Sequence, residues 1–467
     1  MTETYDVILI GGGPAGYQAA IRAGQLGLKV ACVDDNLSFG GTCLRVGCIP
    51  SKALLESSER LVLAREHLAE HGVEVASVAL NLEKMMAQKV KVVSGLAQGI
   101  EYLFRKNKVV GVKGRARFVG PDRIVVAATE GERELTAKHL VIATGSEIIN
   151  LPGVTVDEAR IVSSSGALSL ERVPGRLVII GAGIIGLELG SVWRRLGAEV
   201  TILEYLDRIT PGVDAEVAKT HQKILEKDGF KFRLGVKVVG ARHAGEGVAV
   251  QFQPRDGGAE ETIEADILLS AVGRRPFTEG LGLDAAGVQL DERGRIAVDE
   301  RFRTNVPGVY AIGDVIRGAR LGHKASEEGV VLMEQLAGIG ASVDYETIPS
   351  IIYTAPEVAW VGRTEEELKA HSVAYRAGKF PFNANARARA QTATDGFAKV
   401  LADAKTDRVL GVHVIGPNAG TIIHEAVAFM AFGGAAEDMA RVTHAHPTLS
   451  EVLKEAALAV EGRPLGI

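Results

Sequence analysis

The run Tyr5–Ile10 is apolar and β-branched apart from Asp6, the pattern of a buried strand, and it gives way at once to glycines. The period then changes: Tyr17–Leu26 carries small residues on one helical face, and Lys29–Val33 is a second apolar run. Strand, tight turn at Gly11–Gly16, helix and strand make a βαβ unit. The same order returns at Arg176–Ile180, Gly181–Gly186, Leu187–Leu196 and Glu199–Leu203, with 170 residues between Gly11 and Gly181. Between the two units, Leu54–Val75 and Leu82–Phe104 are expected to be long helices and Val109–Leu135 an alternating meander. Apolar strands ending in small residues are expected at Leu140–Gly145, Asp266–Gly273 and Val309–Gly313. After Thr347 the pattern shifts to strands at Phe397–Leu401 and Val409–Ile415 and helices near Ala419–Phe432 and Leu449–Val460, a separate α+β region. The predicted fold is therefore α/β: two Rossmann-like dinucleotide-binding domains plus a separate carboxyl-terminal α+β domain. The expected boundaries are 1–150, 151–274, a return to the first domain over 275–346, and 347–467.

Composition narrows the function. Lys plus Arg is 53 against 58 for Asp plus Glu, a net charge of −5 without the basic excess of a nucleic-acid binder. No apolar run approaches the roughly 18 residues needed to cross a bilayer. The sequence MTETYDVILIGGG shows no leader pattern, so a cytoplasmic protein is expected. Three cysteines cannot build a disulfide framework, and two of them lie close together, which points to redox chemistry in a reducing compartment.

The glycines are spaced for a ligand. Gly11, Gly13 and Gly16 form G-x-G-x-x-G between strand and helix, and Asp34 stands 18 residues after Gly16; Gly181, Gly183, Gly186 and Glu204 repeat the arrangement. The first glycine permits the turn, the second admits a pyrophosphate to the backbone, and the third lets helix pack on strand. The helix amino terminus supplies partial positive charge, and the acid can accept a ribose hydroxyl. Glu204-Tyr205-Leu206 favours NAD over NADP, because a carboxylate would repel a 2′-phosphate; Arg195 and Arg208 are the arginines near enough in sequence to counter it.

Cys43 and Cys48 are five positions apart. On a regular helix they would be rotated about 140° from one another, so bringing them together needs a break, which Gly47 permits. A helix amino terminus would also favour thiolate and thereby thiol–disulfide exchange. The other readings are a metal pair or two core cysteines, but no further Cys or His cluster completes a zinc site, and no metal is expected; Cys32, inside a strand, belongs to the core. Such exchange needs a proton acceptor with a pKa near neutrality, and His444-Ala445-His446-Pro447-Thr448-Leu449-Ser450-Glu451 offers two histidines and a carboxylate to orient one. A histidine before proline is also a common turn residue.

The segment Gly40-Gly41-Thr42-Cys43-x-x-x-Gly47-Cys48-Ile49-Pro50-Ser51-Lys52-Ala53-Leu54-Leu55, with the two nucleotide motifs, resembles the flavin-dependent pyridine nucleotide–disulfide oxidoreductases, most closely the lipoamide-oxidising members. The resemblance covers essentially the whole chain. It implies FAD in the first fold, held by Gly11, Gly13, Gly16, Asp34, Thr42, Lys52, Thr144, Gly145 and Asp314. It implies NAD in the second, held by Gly181, Gly183, Gly186, Glu188, Glu204 and Gly273. Cys43 is then the thiol that exchanges with substrate and Cys48 the one against the flavin. Lys52 is expected to pair with Glu188 in the first turn of the second nucleotide helix. The ending His446-Pro447-Thr448-x-Ser450-Glu451 matches the family's base and orienting acid, which reach the dithiol of a partner subunit in a homodimer. The implied reaction is oxidation of protein-bound dihydrolipoamide to lipoamide with reduction of NAD. The implied partner is the lipoyl domain of the acyltransferase component of a 2-oxo acid dehydrogenase complex, or a glycine-cleavage system. The alternatives are reduction of another, glutathione-like disulfide, or a noncatalytic flavoprotein scaffold. Two positions depart from the family pattern: Arg45 replaces a common asparagine between the thiols, and Gly322 in Leu321-Gly322-His323-Lys324-Ala325 stands where alanine is usual.

Overall fold

Glu3–Ile10 lies in a seven-stranded sheet between Val30–Asp34 and Gly131–Ile142, with Val110–Lys113 beyond the former and Val309–Ala311 also beside the latter, all parallel. Val7, Ile8, Leu9 and Ile10 are fully or almost fully buried, as a parallel strand covered on both faces requires. Arg115–Gly120 and Arg123–Ala128 extend the sheet antiparallel, the expected meander. Described over residues 3–466, this computed structural model divides into two units. The first runs to Ala53 and takes in Glu83–Ile149 and Gly273–Val343; the second comprises Leu54–Leu82, Asn150–Val272 and the chain from Asp344 onward.

Within the second unit, Arg176–Ile180 is central to a parallel sheet ordered Lys231–Leu234, Glu199–Glu204, Arg176–Ile180, Ile267–Ser270, Ile161–Val162. A three-stranded antiparallel sheet of Val236–Ala244, Gly247–Pro254 and Glu261–Ala265 adjoins it. The carboxyl-terminal part of the unit is a five-stranded antiparallel sheet covered by the helices Ala419–Ala431, Ala436–Arg441 and Glu451–Val460. Val213 and Val217 join its Ile352, Val358 and Ile415 in one apolar cluster.

The expected helix from Leu54 to Val75 is shorter and begins earlier. Regular helix spans Cys48–Val62, widens into a π turn over Leu63–His67, tightens at Leu68–His71, and stops where Gly72 turns left-handed at φ 75°. The next helix, Leu82–Lys106, lies where the pattern put it.

Candidate active site

Each glycine cradle is set by contacts that a side chain would destroy. A Cβ on Gly16 would fall 1.8 Å from the carbonyl oxygen of Gly11, and one on Gly186 would fall 2.1 Å from that of Gly181. Gly11 and Gly181 turn at φ 110° and 104°, and their Cβ atoms would strike the carbonyls of Ala143 and Ala271. The helices Pro14–Gln25 and Ile184–Leu196 start from extended Gly13 and Gly183, with no side-chain cap and no acid in the first turn, leaving their amides for an anion. The acids repeat the pattern atom for atom. Asp34 Oδ2 accepts from the Gly12 amide at 2.6 Å and Oδ1 from the Asn36 amide; Glu204 Oε2 accepts from the Ala182 amide at 2.7 Å and Oε1 from the Leu206 amide. Both carboxylates thus brace their own loops, with lone pairs left over for a ribose hydroxyl. Arg195 is half-buried and engaged elsewhere, donating to the Leu55 carbonyl at 3.2 Å and Ser58 Oγ at 3.4 Å.

The dithiol segment docks on the first cradle. The Gly40 amide donates to the Gly12 carbonyl, and a Cβ on Gly41 would lie 2.5 Å from Gly13 Cα. Exposed Thr42 and half-buried Cys43 fall in the short helix Gly41–Val46, which breaks at Gly47 (φ −142°, ψ −114°) before Cys48 opens the next helix. The break brings the two thiols into hydrogen-bond contact. At Cys43 the thiol pKa is raised. The hydrogen bond with Cys48, burial and repulsion from a second thiolate push it strongly up, with Lys52 pulling the other way. Arg45, between the thiols, has its Nε buried without a hydrogen-bond partner. A Cβ on Gly322 would sit 3.5 Å from Cys43 Sγ, so an alanine there would pack on the sulfur.

Asp314 is held by residues that sequence reasoning missed. Ser146 Oγ donates to its Oδ2 at 2.8 Å, and Arg274 grips Ser146 through Oγ at 2.8 Å and the carbonyl. The preceding Gly313 (φ 80°) is tied by its amide to Glu328 Oε2 at 2.7 Å, and Glu328 pairs at 2.8 Å with Lys324, both buried. The Lys-x-x-x-Glu spacing on one helix was the available signal. Thr144 Oγ1 donates to the Phe277 carbonyl at 2.6 Å, the Phe277 amide returns to Gly145, and left-handed Gly273 accepts from the Ile149 amide. Tyr17 was also missed: burial raises the pKa of its phenol, and Cys43 adds to the effect.

In the second unit, Glu188 lies in the second turn of its helix, not the first, and is buried, accepting from the Tyr353 amide at 3.0 Å. Its carboxylate thus holds the backbone of the Tyr353 segment. His446 and Glu451 meet: ring Nδ1 lies 3.0 Å from Glu451 Oε1, and the Thr448 amide donates to Oε2 at 2.8 Å. Burial pushes the Glu451 carboxyl up, but the Thr448 amide and the His446 and His444 rings outweigh it and hold it below the usual range. The His446 ring is 72% exposed, so its other nitrogen is open to a reactant. Asp214, Glu216 and Glu365 form a metal-like cluster that Lys399 fills, lying 3.1 Å and 3.2 Å from the first two.

Comparison with known proteins adds the family. Residues 5–329 match the family described as pyridine nucleotide-disulphide oxidoreductase, and residues 348–457 its dimerisation domain. Over 467 residues the chain is 55% identical to dihydrolipoyl dehydrogenase 3 of Pseudomonas putida, covering all of both chains. It is 54% identical to the mitochondrial dihydrolipoyl dehydrogenase of Pisum sativum, covering all of this chain and 93% of that one. The crystal structure of LpdA from Mycobacterium tuberculosis shares 27% identity and superposes with a TM-score of 0.89, covering 98% of this chain and 99% of the other. With both models matched over most of its length, the chain belongs to the pyridine nucleotide-disulphide oxidoreductases.

Proposed function

We propose that the chain, as a homodimer, oxidises protein-bound dihydrolipoamide to lipoamide with reduction of NAD. The observation that carries this reading is the thiol pair brought together across Gly47 beside the first glycine cradle. Full-length likeness to proteins named dihydrolipoyl dehydrogenase supports the choice of substrate.

The residues fit both dinucleotides. The Gly11–Gly16 loop, Asp34, Thr42, Lys52, Thr144, Gly145 and Asp314 would hold FAD. The Gly181–Gly186 loop, Glu188, Glu204 and Gly273 would hold NAD, and the backbone clefts that only glycine leaves open support both assignments. Bound FAD supplies a two-electron path from the dithiol to the nicotinamide.

The protein's own part is thiol exchange. A lipoyl thiol gives its proton to His446, and the thiolate attacks Cys43 Sγ of the Cys43–Cys48 disulfide, displacing Cys48 as thiolate. The second lipoyl thiol then attacks the lipoyl sulfur of the mixed disulfide, expelling Cys43; the lipoyl group leaves as disulfide, and the cysteine pair holds both electrons. Glu451 fixes the tautomer of His446 with Nδ1 protonated and offsets the imidazolium that forms. Lys52 supplies positive charge beside the thiols. Glu204 and the engagement of Arg195 elsewhere support NAD over NADP.

The donor in this reading is the swinging lipoyl domain of a 2-oxo acid dehydrogenase or glycine-cleavage system, acting in the cytoplasm, where thiols stay reduced. Steady-state assays with dihydrolipoamide, glutathione disulfide, NAD and NADP test it. NAD reduction by dihydrolipoamide should dominate; preferential reduction of glutathione disulfide would overturn the reading.

A further inference from the structure

The loop between the helices Ala436–Arg441 and Glu451–Val460 carries His444 as well as His446, and the two rings are treated differently. His446 has one nitrogen on Glu451 and a largely exposed ring. His444 has only 6% of its side chain exposed and both nitrogens engaged: Nε2 lies 2.8 Å from Glu425 Oε1, and Nδ1 lies 3.1 Å from the Val442 carbonyl. A backbone carbonyl and a carboxylate are acceptors only, so a ring set between them donates from both nitrogens, which is the bonding of an imidazolium. The same Val442 carbonyl takes the Lys454 ammonium at 3.1 Å, and the far end of the loop is held by Asn385 Nδ2 on the Thr448 carbonyl at 2.9 Å. The loop is thus tied to the helices Ala419–Ala431 and Glu451–Val460 on either side of His446.

We propose that the His444–Glu425 pair is a charged brace for the His446 base, fixing the loop that presents the ring and placing a positive charge beside Glu451. His444 is a positioning residue: with no open nitrogen it cannot take the substrate's proton. The pair is neutral as a whole, so replacing either partner alone changes the charge beside the base. The charged groups facing this corner from the same chain are Glu451 and Lys454 on one helix, Glu425 on another, and His444 on the loop, while Arg441 pairs with Glu437 instead. The inference rests on the reading of His446 as the base.

The test is the pH profile of kcat/KM for dihydrolipoamide in the FAD-loaded homodimer, for His444→Gln, Glu425→Gln and, as reference, His446→Gln. Glu425→Gln keeps the side-chain volume and can still donate to His444 Nε2, so it removes the carboxylate while sparing the fold, and its loss of kcat/KM decides the matter if His444→Gln does not assemble. Both brace variants should retain the flavin spectrum and dimer. Each should lose about threefold or more in kcat/KM near neutrality. The half-maximal pH of His444→Gln, which leaves the Glu425 anion unpaired, should move up by about half a unit, whereas Glu425→Gln, which removes that anion, should not move it up. Profiles that superimpose on the wild type, or a loss of rate in His444→Gln without a shift along the pH axis, would overturn the brace while leaving the base reading intact. If His446→Gln itself keeps wild-type turnover, the base assignment fails and the brace falls with it.

Discussion

Lys324 is almost wholly buried, and removing its charge tests how the Asp314 turn is held. Its ammonium lies 2.8 Å from Glu328 Oε1, 3.1 Å from the Arg317 carbonyl and 3.2 Å from the Gly313 carbonyl, and Glu328 in turn holds the Gly313 amide. Lys324→Met keeps the length of the side chain but leaves a carboxylate and two carbonyls without their donor, in a site where both members of the pair are 1% exposed or less. Stranding one partner of a buried pair costs about 3–5 kcal/mol. In an unfolding unit of about 200 residues, that corresponds to a fall of roughly 10 °C in melting midpoint. The double variant Lys324→Met with Glu328→Gln should recover most of the loss, since it removes the stranded charge and an amide oxygen can still accept from Gly313. The assay is thermal and urea unfolding at fixed dimer concentration, together with the rate of FAD release, which should rise in the single variant as the Gly313–Asp314 turn loosens. A single variant within about 1 kcal/mol of wild type would refute the claim that this pair secures the turn.

Three further outcomes follow from particular contacts. Gly186→Ala puts a methyl 2.1 Å from the Gly181 carbonyl, so the helix must back away and the KM for NAD should rise about tenfold or more while bound FAD is unaffected; an unchanged KM would contradict the second cradle. Fully buried His221, on Thr354 Oγ1 at 2.9 Å, has its pKa pushed by burial down to about 3, from an ordinary value near 6.5. The unfolded chain therefore takes up a proton that the folded one refuses; stability is full above about pH 6.5 and falls as pH drops toward 3, by up to about 1.4 kcal/mol per unit. His221→Gln should flatten urea stability between those limits, and an unchanged slope would refute it. Gly322→Ala should raise the melting point slightly, by packing of the added methyl on Cys43 Sγ, and a destabilised variant would show that the 3.5 Å approach is not the room it looks.

Much of this was legible because the constraints are local. A glycine forced by a carbonyl 1.8 Å from its would-be Cβ, or an acid reaching back to a loop amide, leaves a fixed spacing that recurs at Gly11–Asp34 and Gly181–Glu204. The Gly47 break and the His446–Glu451 contact likewise span only a few residues. What escaped depends on distant chain. Ser146 and Arg274 meet Asp314 from 168 residues and from a separate strand, and Arg195 is taken up by Leu55 and Ser58 about 140 residues away. Lys399 among three carboxylates is equally nonlocal. The strands Ser350–Ile352 and Tyr375–Pro381 were missed for a different reason: one has three residues, and the other carries Gly378 and ends in proline at the sheet's edge, where little alternation is required. A helix-dipole argument treats one sulfur alone and bears on Cys48, which opens its helix, whereas Cys43 answers first to the second thiol.

The most direct test of the proposed electron path is the visible absorption spectrum of the purified homodimer during stepwise anaerobic reduction. The proposal predicts a yellow flavin that, after one electron pair is added, develops a long-wavelength band from the Cys48 thiolate to oxidised flavin, with Cys48→Ser abolishing the band. Direct bleaching of the flavin with no such band, or a band that survives Cys48→Ser, would contradict the claim that the dithiol and the flavin share electrons.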